Sequence, residues 1–165
     1  MLSKIDALVE ADLTAAVDID LASFVPSELG VGVGVGVGVG AEAPLVVRER
    51  SLREELVRSW ARLRAARDES GAVLGYALFW HVVDELHLLN VAVAIPSRRR
   101  GIGRALMDDL IAYGRAHAAA RILLEVRAGN VAAITLYEQL GFTRFNVRER
   151  YYADDEDAIE MSLVL

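Results

Sequence analysis

The sequence predicts an α/β protein (α+β in some schemes), three layers deep, with one mixed sheet held between helices. Three observations predict it. Apolar stretches of period two alternate with stretches of three-and-four spacing, in the order β-α-β-β-β-α-β-α-β-β. An apolar strand over residues 88–95 breaks at Pro96 and passes through Arg98, Arg99 and Arg100 into Gly101, Gly103 and a helical pattern. A second buried strand, over 121–127, leads through Asn130 into another helix.

Taken in order, residues 5–9 read as a first strand. Asp12 suits the N-cap of a helix with apolar positions Leu13, Ala16, Val17, Leu21 and Phe24, ended by Pro26. Residues 30–40 alternate Gly and Val strictly. Period two fits a strand, but glycine at every second position costs backbone entropy and packs nothing. The segment therefore reads as a low-complexity loop insertion, with a substrate-covering lid as the functional alternative. Ser51 and Glu54 form a capping box that opens a short helix. Leu52, Leu56, Trp60 and Leu63 would carry that helix onward, whereas alternation over 61–65 suits a strand. The turn signal Asp68-Glu69-Ser70-Gly71 needs a strand before it, which ends the helix near Ser59 and starts the strand near Ala61.

Residues 72–83 make the next strand, and Asp84-Glu85 turns into the strand 86–95. The helix after the glycines buries Ile102, Leu106, Leu110 and Tyr113 and exposes Asp108, Asp109 and Arg115. The strand 121–127 holds one acid, Glu125. Asn130 suits the N-cap of a helix carrying Ala133, Ile134, Leu136, Tyr137 and Leu140, stopped by Gly141. Residues 143–152 and 158–165 read as two final strands joined by Asp154-Asp155-Glu156-Asp157.

Bulk composition narrows the function. A chain of 165 residues that is 54% hydrophobic suits one domain with a real core. It has no cysteine, which removes disulfides, thiolate nucleophiles and Cys-based metal sites. His81, His87 and His117 show no metal-ligand spacing, so no metal is expected. A net charge of −6 disfavours a nucleic-acid partner despite the local arginine run. The N-terminus lacks a signal-peptide core, and no apolar run approaches the roughly 20 residues that span a bilayer. The expectation is a soluble cytoplasmic protein with no membrane partner.

The arginine–glycine turn carries the chemistry. A glycine-bearing turn that opens a helix aims several backbone N–H groups at one spot, and the positive end of the helix dipole reinforces them. Such a turn is a phosphate site, and neighbouring arginines pair with phosphate oxygens in a fork geometry. No Gly-Lys-Ser/Thr follows, so it is not a P-loop. Ala105 and Leu106 stand where the dinucleotide pattern continues to a third glycine. A solvated basic turn bent by its glycines is the plainer alternative.

Arg98-Arg99-Arg100-Gly101-Ile102-Gly103 resembles the pyrophosphate loop of the acetyl-CoA-dependent N-acetyltransferases of the GNAT superfamily. Leu124-Glu125-Val126-Arg127, with Asn130, Ala133, Leu136, Tyr137, Gly141 and Phe142, is similar to the second signature of that superfamily. Arg150-Tyr151-Tyr152-Ala153-Asp154, with Glu156, Asp157, Ala158 and Met161, resembles the closing hairpin of protein N-terminal acetyltransferases, the bacterial ribosomal-protein-alanine type in particular. The resemblance covers residues 86–165; the Gly-Val insertion is foreign to the family.

The resemblance implies a splayed sheet in which acetyl-CoA, the acetyl donor, fills the gap beside Val91, Ala92 and Val93, bonding to backbone as an added strand would. It places the pyrophosphate on Arg98, Arg99, Arg100, Gly101, Ile102, Gly103 and Arg104, and the pantetheine arm against Asn130. A plain helix cap is the alternative for Asn130. The implied reaction is direct attack of an amine on a thioester in a ternary complex. Glu125 would be the base, directly or through a water, and Tyr137 the donor to the sulfur, its phenol being protonated at neutral pH. The backbone N–H of Val93 could stabilise the oxyanion. On residue pattern alone, Glu125 also fits a half-exposed solvating acid and Tyr137 a core residue. His87 alternates with Leu89 and Val91 and could assist as a base or simply pack. Tyr151 and Tyr152 would border the acceptor site, one facing the cleft and one packing, because neighbours on a strand face opposite sides.

The expected function is acetyl transfer to a protein N-terminal α-amine, such as the alanine of a ribosomal protein. A small-molecule amine acetyltransferase on the same fold is the alternative, since fold does not fix substrate. A non-catalytic acetyl-CoA-binding module is the other, although it would need neither Glu125 nor Tyr137.

Overall fold

The computed structural model describes residues 1–23 and 44–165. The expectations for Phe24, Pro26 and the Gly-Val segment 30–40 fall outside the described residues. Strands β1 (Leu2–Ala7), β2 (Ala61–Asp68), β3 (Val73–Val82), β4 (Glu85–Val93), β5 (Arg121–Arg127), β6 (Thr143–Arg148) and β7 (Ala158–Val164) form one sheet in the order β1-β2-β3-β4-β5-β7-β6. The β4–β5 pair is parallel and its other neighbours are antiparallel. Helices α1 (Leu13–Ser23), α2 (Pro44–Val57), α3 (Ile102–Ala116) and α4 (Val131–Gln139) complete the described elements. The expected α/β class with a mixed sheet is borne out.

Alternation along the strands sorts side chains onto two faces. Ala61, Leu63, Ala65, Tyr76, Leu78 and Ala92 pack against Leu13, Ala16 and Val17 of α1 and Leu52 of α2. Phe79, Leu86, Leu88, Ile122, Leu124 and Val126 pack against Met107, Leu110 and Ile111 of α3 and Ile134 and Tyr137 of α4. Helices therefore cover both faces, which makes three layers.

Two departures from regular pairing position the site. Leu78 pairs with Asn90 but Phe79 with Leu88, so Leu89 is an extra residue, a bulge in β4. Leu89 packs on the α1–α2 side while Val91 packs on the α3 side. The bulge therefore corrects the expectation that His87, Leu89 and Val91 share a face. Just beyond, the β4–β5 ladder stops at Leu88↔Leu124, although β4 runs on to Val93 and β5 to Arg127. The sheet splays at that point, leaving backbone groups of β4 facing β5 outside the ladder.

Several local expectations are corrected. The first strand is Leu2–Ala7 rather than 5–9. Asp12 does not cap α1; it closes a 3-10 turn, Glu10–Asp12, and accepts from the Val9 N–H at 2.9 Å. Helix α2 begins at Pro44, not at the Ser51 capping box, and Ser51 lies inside it, its hydroxyl donating to the Val47 carbonyl at 3.0 Å. The Ser/Thr-x-x-Glu pattern is the same at a helix start and mid-helix, and here back-bonding to the preceding turn prevails. Asp109 is half-buried rather than exposed, because Arg64 of β2 reaches it through two hydrogen bonds of 2.8 and 2.9 Å. β4 ends at Val93 and β6 at Arg148, both short of the expected 95 and 152.

Candidate active site

The site forms where the splay opens. Strand β4 ends at Val93, and a 3-10 turn, Ile95–Ser97, carries the chain around Pro96. Arg99 sits at φ 60° and Gly101 at φ 79°, and this left-handed pair folds the arginine run onto the start of α3. Gly101 is the N-cap of α3 and no side chain caps it. The N–H groups of Ile102, Gly103 and Arg104 therefore have no intrahelical acceptor and no cap, at the positive end of the helix.

Gly103 is the second informative glycine. A Cβ built on it would meet Leu136 and Val93 side chains at 3.8 Å, an ordinary contact. Nothing in the chain's own packing requires glycine there, yet glycine in a helix costs up to about 1 kcal/mol relative to alanine. Glycine there leaves room for a molecule approaching from outside. Val93 (β4), Gly103 (α3) and Leu136 (α4) thus border the mouth of the splay, beside three unpartnered N–H donors. The residues fit a pyrophosphate with an extended arm.

The arginines divide. Arg100 and Arg104 are exposed, and Arg104 lies 3.9 Å from Asp108. Arg98 is engaged elsewhere: its Nε donates to the Val93 carbonyl at 3.1 Å and its terminal nitrogen to the Ser23 hydroxyl at 3.0 Å. Asn130 caps α4, its side-chain oxygen accepting from the Ala133 N–H at 3.2 Å. That leaves the amide NH₂ of Asn130 as the group that can face a ligand.

Glu125, Tyr137, Tyr151 and Tyr152 converge through a chain of contacts. Glu125 is half-buried on β5; the Arg148 guanidinium lies 3.3 Å from it and 5.2 Å from the Tyr151 ring. Burial, followed by the nearby Glu125 carboxylate, pushes the Tyr151 phenol above its ordinary pKa. The Tyr151 and Tyr152 rings meet edge to face at 5.2 Å. Tyr152 lies over the Arg127 guanidinium at 3.9 Å. Tyr137, on α4, is 5% exposed, and burial, with Tyr152 nearby, pushes its phenol well above the ordinary value. It stays protonated and is a donor.

The two hairpin tyrosines therefore do not alternate. β6 has ended before them, Arg150 turns at φ 50°, and the two rings lie against each other, with Tyr151 near Glu125 and Tyr152 near Tyr137. The acidic turn is engaged within the molecule. Arg127 binds Asp154 at 3.0 Å and Glu156 at 2.6 Å, and Asp157 accepts from the Arg150 N–H at 2.8 Å. His87 lies 3.1 Å from Glu85, which also pairs with Arg121 at the start of β5.

The chain matches the Acetyltransferase (GNAT) family over residues 39–142. It belongs to the GNAT family. The [ribosomal protein bS18]-alanine N-acetyltransferase of Escherichia coli K12 is 43% identical over 98 residues, 58% of this chain and 66% of that protein. The match thus spans just under two thirds of the relative's length. The N-alpha-acetyltransferase of Sulfurisphaera tokodaii is 41% identical over 85 residues, 51% of each chain. The crystal structure of the ribosomal-protein-S18-alanine N-acetyltransferase from Escherichia coli superposes with a TM-score of 0.77 at 30% identity, covering 98% of this chain and 92% of that one.

Within this GNAT chain, sequence reasoning missed Arg148, Glu160 and Asn146 beside Glu125. Asn146 and Arg148 (β6) both donate to Glu160 (β7), which pairs directly with Glu125 (β5). It also missed a buried knot on the α1–α2 side, where Arg48, Tyr76 and Asn90 all donate to Asp20. For Asp20, Asn90 and Glu160 the signal was a polar residue within an apolar stretch, which identifies a buried polar group but not its partner; Asn146 and Arg148 are exposed on β6, where nothing local marked them.

Proposed function

We propose that the chain is an acetyl-CoA-dependent N-acetyltransferase acting on a protein or peptide N-terminal α-amine. The observation that carries the reading is that Arg148 of β6 lies 3.3 Å from Glu125 and 5.2 Å from the Tyr151 ring, so the β6–β7 hairpin stands beside the one acid on the splayed edge of β5. The E. coli and Sulfurisphaera relatives, an alanine N-acetyltransferase of a ribosomal protein and an N-alpha-acetyltransferase, support the same acceptor class.

Acetyl-CoA, when bound, supplies an acyl group already activated as a thioester, so no residue need form a covalent intermediate. The uncapped N–H groups of Ile102, Gly103 and Arg104, with Arg99 and Arg100, would hold its phosphates, and the Asn130 amide its arm. Val91, Ala92 and Val93 would offer backbone to the arm at the splay. Glu125 takes a proton from the incoming ammonium and frees the nitrogen lone pair. An α-amine has a pKa of about 7.7–8.0 against about 10.4 for lysine, so a single carboxylate is a sufficient base for the former. Tyr137 holds a proton at its hydroxyl, available to a leaving thiolate.

The test is acetyl transfer to three acceptors in competition, read by mass: an Ala-initiated peptide, the same peptide with a blocked N-terminus and an internal lysine, and a free polyamine. The Ala-initiated peptide is expected to win. Preference for the lysine peptide or the polyamine overturns the acceptor assignment, and absence of acetyl transfer to all three overturns the enzyme reading.

A further inference from the structure

Glu125 and Glu160 sit directly opposite each other on β5 and β7. Like charges at directly opposed positions destabilise a sheet. Arg148 of β6 stands between them, but unequally. It donates a hydrogen bond to Glu160 at 2.7 Å and approaches Glu125 only to 3.3 Å, an ion-pair distance. Asn146 donates to the other Glu160 oxygen. The Arg148 guanidinium holds the Glu160 carboxyl below the usual carboxylate range, and Glu160 in turn anchors the guanidinium.

We propose that Arg148, anchored by Glu160, is a positioning residue that holds Glu125 in its aim while leaving it a free lone pair for the acceptor's proton. The proposal rests on Glu125 being the base. A base engaged in a full hydrogen bond to arginine would lose an acceptor site, and a base with no cation nearby would repel Glu160 and turn away. The observed asymmetry avoids both. Charge also balances. Glu125, Glu160 and Arg148 together carry one net negative charge, which matches one incoming ammonium. When the ammonium proton moves to a Glu125 oxygen, the nitrogen keeps the electron pair. The remaining Arg148–Glu160 pair is neutral, so the transfer strands no charge. A residue that only stabilised the hairpin would need neither the bridge nor the offset.

The experiment measures kcat and KM for an Ala-initiated peptide and for acetyl-CoA in Arg148→Met, Arg148→Lys, Glu160→Gln and Glu125→Gln, with thermal melting of each. Arg148→Met is expected to lower kcat by about tenfold or more with both KM values within about twofold, and Arg148→Lys to recover most of the loss. Glu160→Gln, which releases Arg148 onto Glu125, is also expected to lower kcat. In a Glu125→Gln background, Arg148→Met should cost nothing further, because the residue it serves is gone. Normal kcat in folded Arg148→Met, equal losses in the Met and Lys variants, or full additivity with Glu125→Gln overturns the positioning role alone. Normal kcat in Glu125→Gln overturns the base assignment and the positioning role with it.

Discussion

Asn90 donates to the Asp20 carboxylate at 2.6 Å in the interior, tying β4 to α1 two residues past the point where β4 parts from β5. Tyr76 and Arg48 donate to the same carboxylate, so β3 and α2 join the knot. Asp20 is fully buried and compensated by one guanidinium and two neutral donors. Removing one partner of such a pair leaves the other charge buried and uncompensated. Asp20→Ala is therefore expected to cost about 3–5 kcal/mol of stability, read as a fall in the urea midpoint. A loss under about 1 kcal/mol would show that water replaces the carboxylate.

The phosphate loop is tested at Gly103. Because a Cβ there meets only ordinary contacts, Gly103→Ala should leave the fold intact and raise helix stability by up to about 1 kcal/mol. Acetyl-CoA affinity should fall, and fall further in Gly103→Val. Calorimetry that finds unchanged affinity in both variants would remove the loop from the cofactor site.

The acid–base pair is tested by Glu125→Gln and Tyr137→Phe, which keep shape and remove proton transfer. Each is expected to lower kcat by about 10²–10⁴ while acetyl-CoA affinity changes little. Tyr137→Phe should leave the melting temperature close to that of the parent chain, since no hydrogen bond to the Tyr137 hydroxyl is present among the described residues. A near-normal kcat in either variant withdraws that residue's role.

Acid stability is tested at the first strand pair. Arg67 donates to both Asp12 oxygens, at 2.8 and 2.6 Å, and those hydrogen bonds hold the Asp12 carboxyl below its usual value of 3.8. A carboxyl depressed in the folded state adds stability above its unfolded value, and loses it as pH falls through the folded one. Arg67→Met should therefore cost about 2 kcal/mol between pH 5 and 8, and the gap to the parent chain should close below about pH 4. A gap that does not narrow at all between pH 5 and about pH 2.5 in chemical denaturation would mean that packing, not charge, holds this corner.

Residue pattern alone made most strands and helices legible, because burial imposes period two on strands and three-and-four spacing on helices. It separated β2 from the end of α2 at Ala61 on a single argument, that a hairpin turn needs a preceding strand, and the boundary is where that argument put it. It failed at Ser51, where a capping pattern occurs mid-helix, and at Tyr151–Tyr152, where strand alternation was extended past the end of β6. The arginine–glycine turn, the Asn130 cap and the single acid on β5 were visible because each is a local device set by neighbouring residues.

What only the tertiary structure decided is who stands beside whom. Strand β7 inserts between β5 and β6, and that order alone brings Glu160 opposite Glu125 and lets Arg148 reach both. The bulge at Leu89 and the end of the ladder at Leu88 depend on packing against helices far along the chain, so no window of sequence around β4 contains them. Local spacing determines which face a side chain occupies; the choice of neighbouring strand is a competition among long-range pairings, and the charges around Glu125 follow from its outcome.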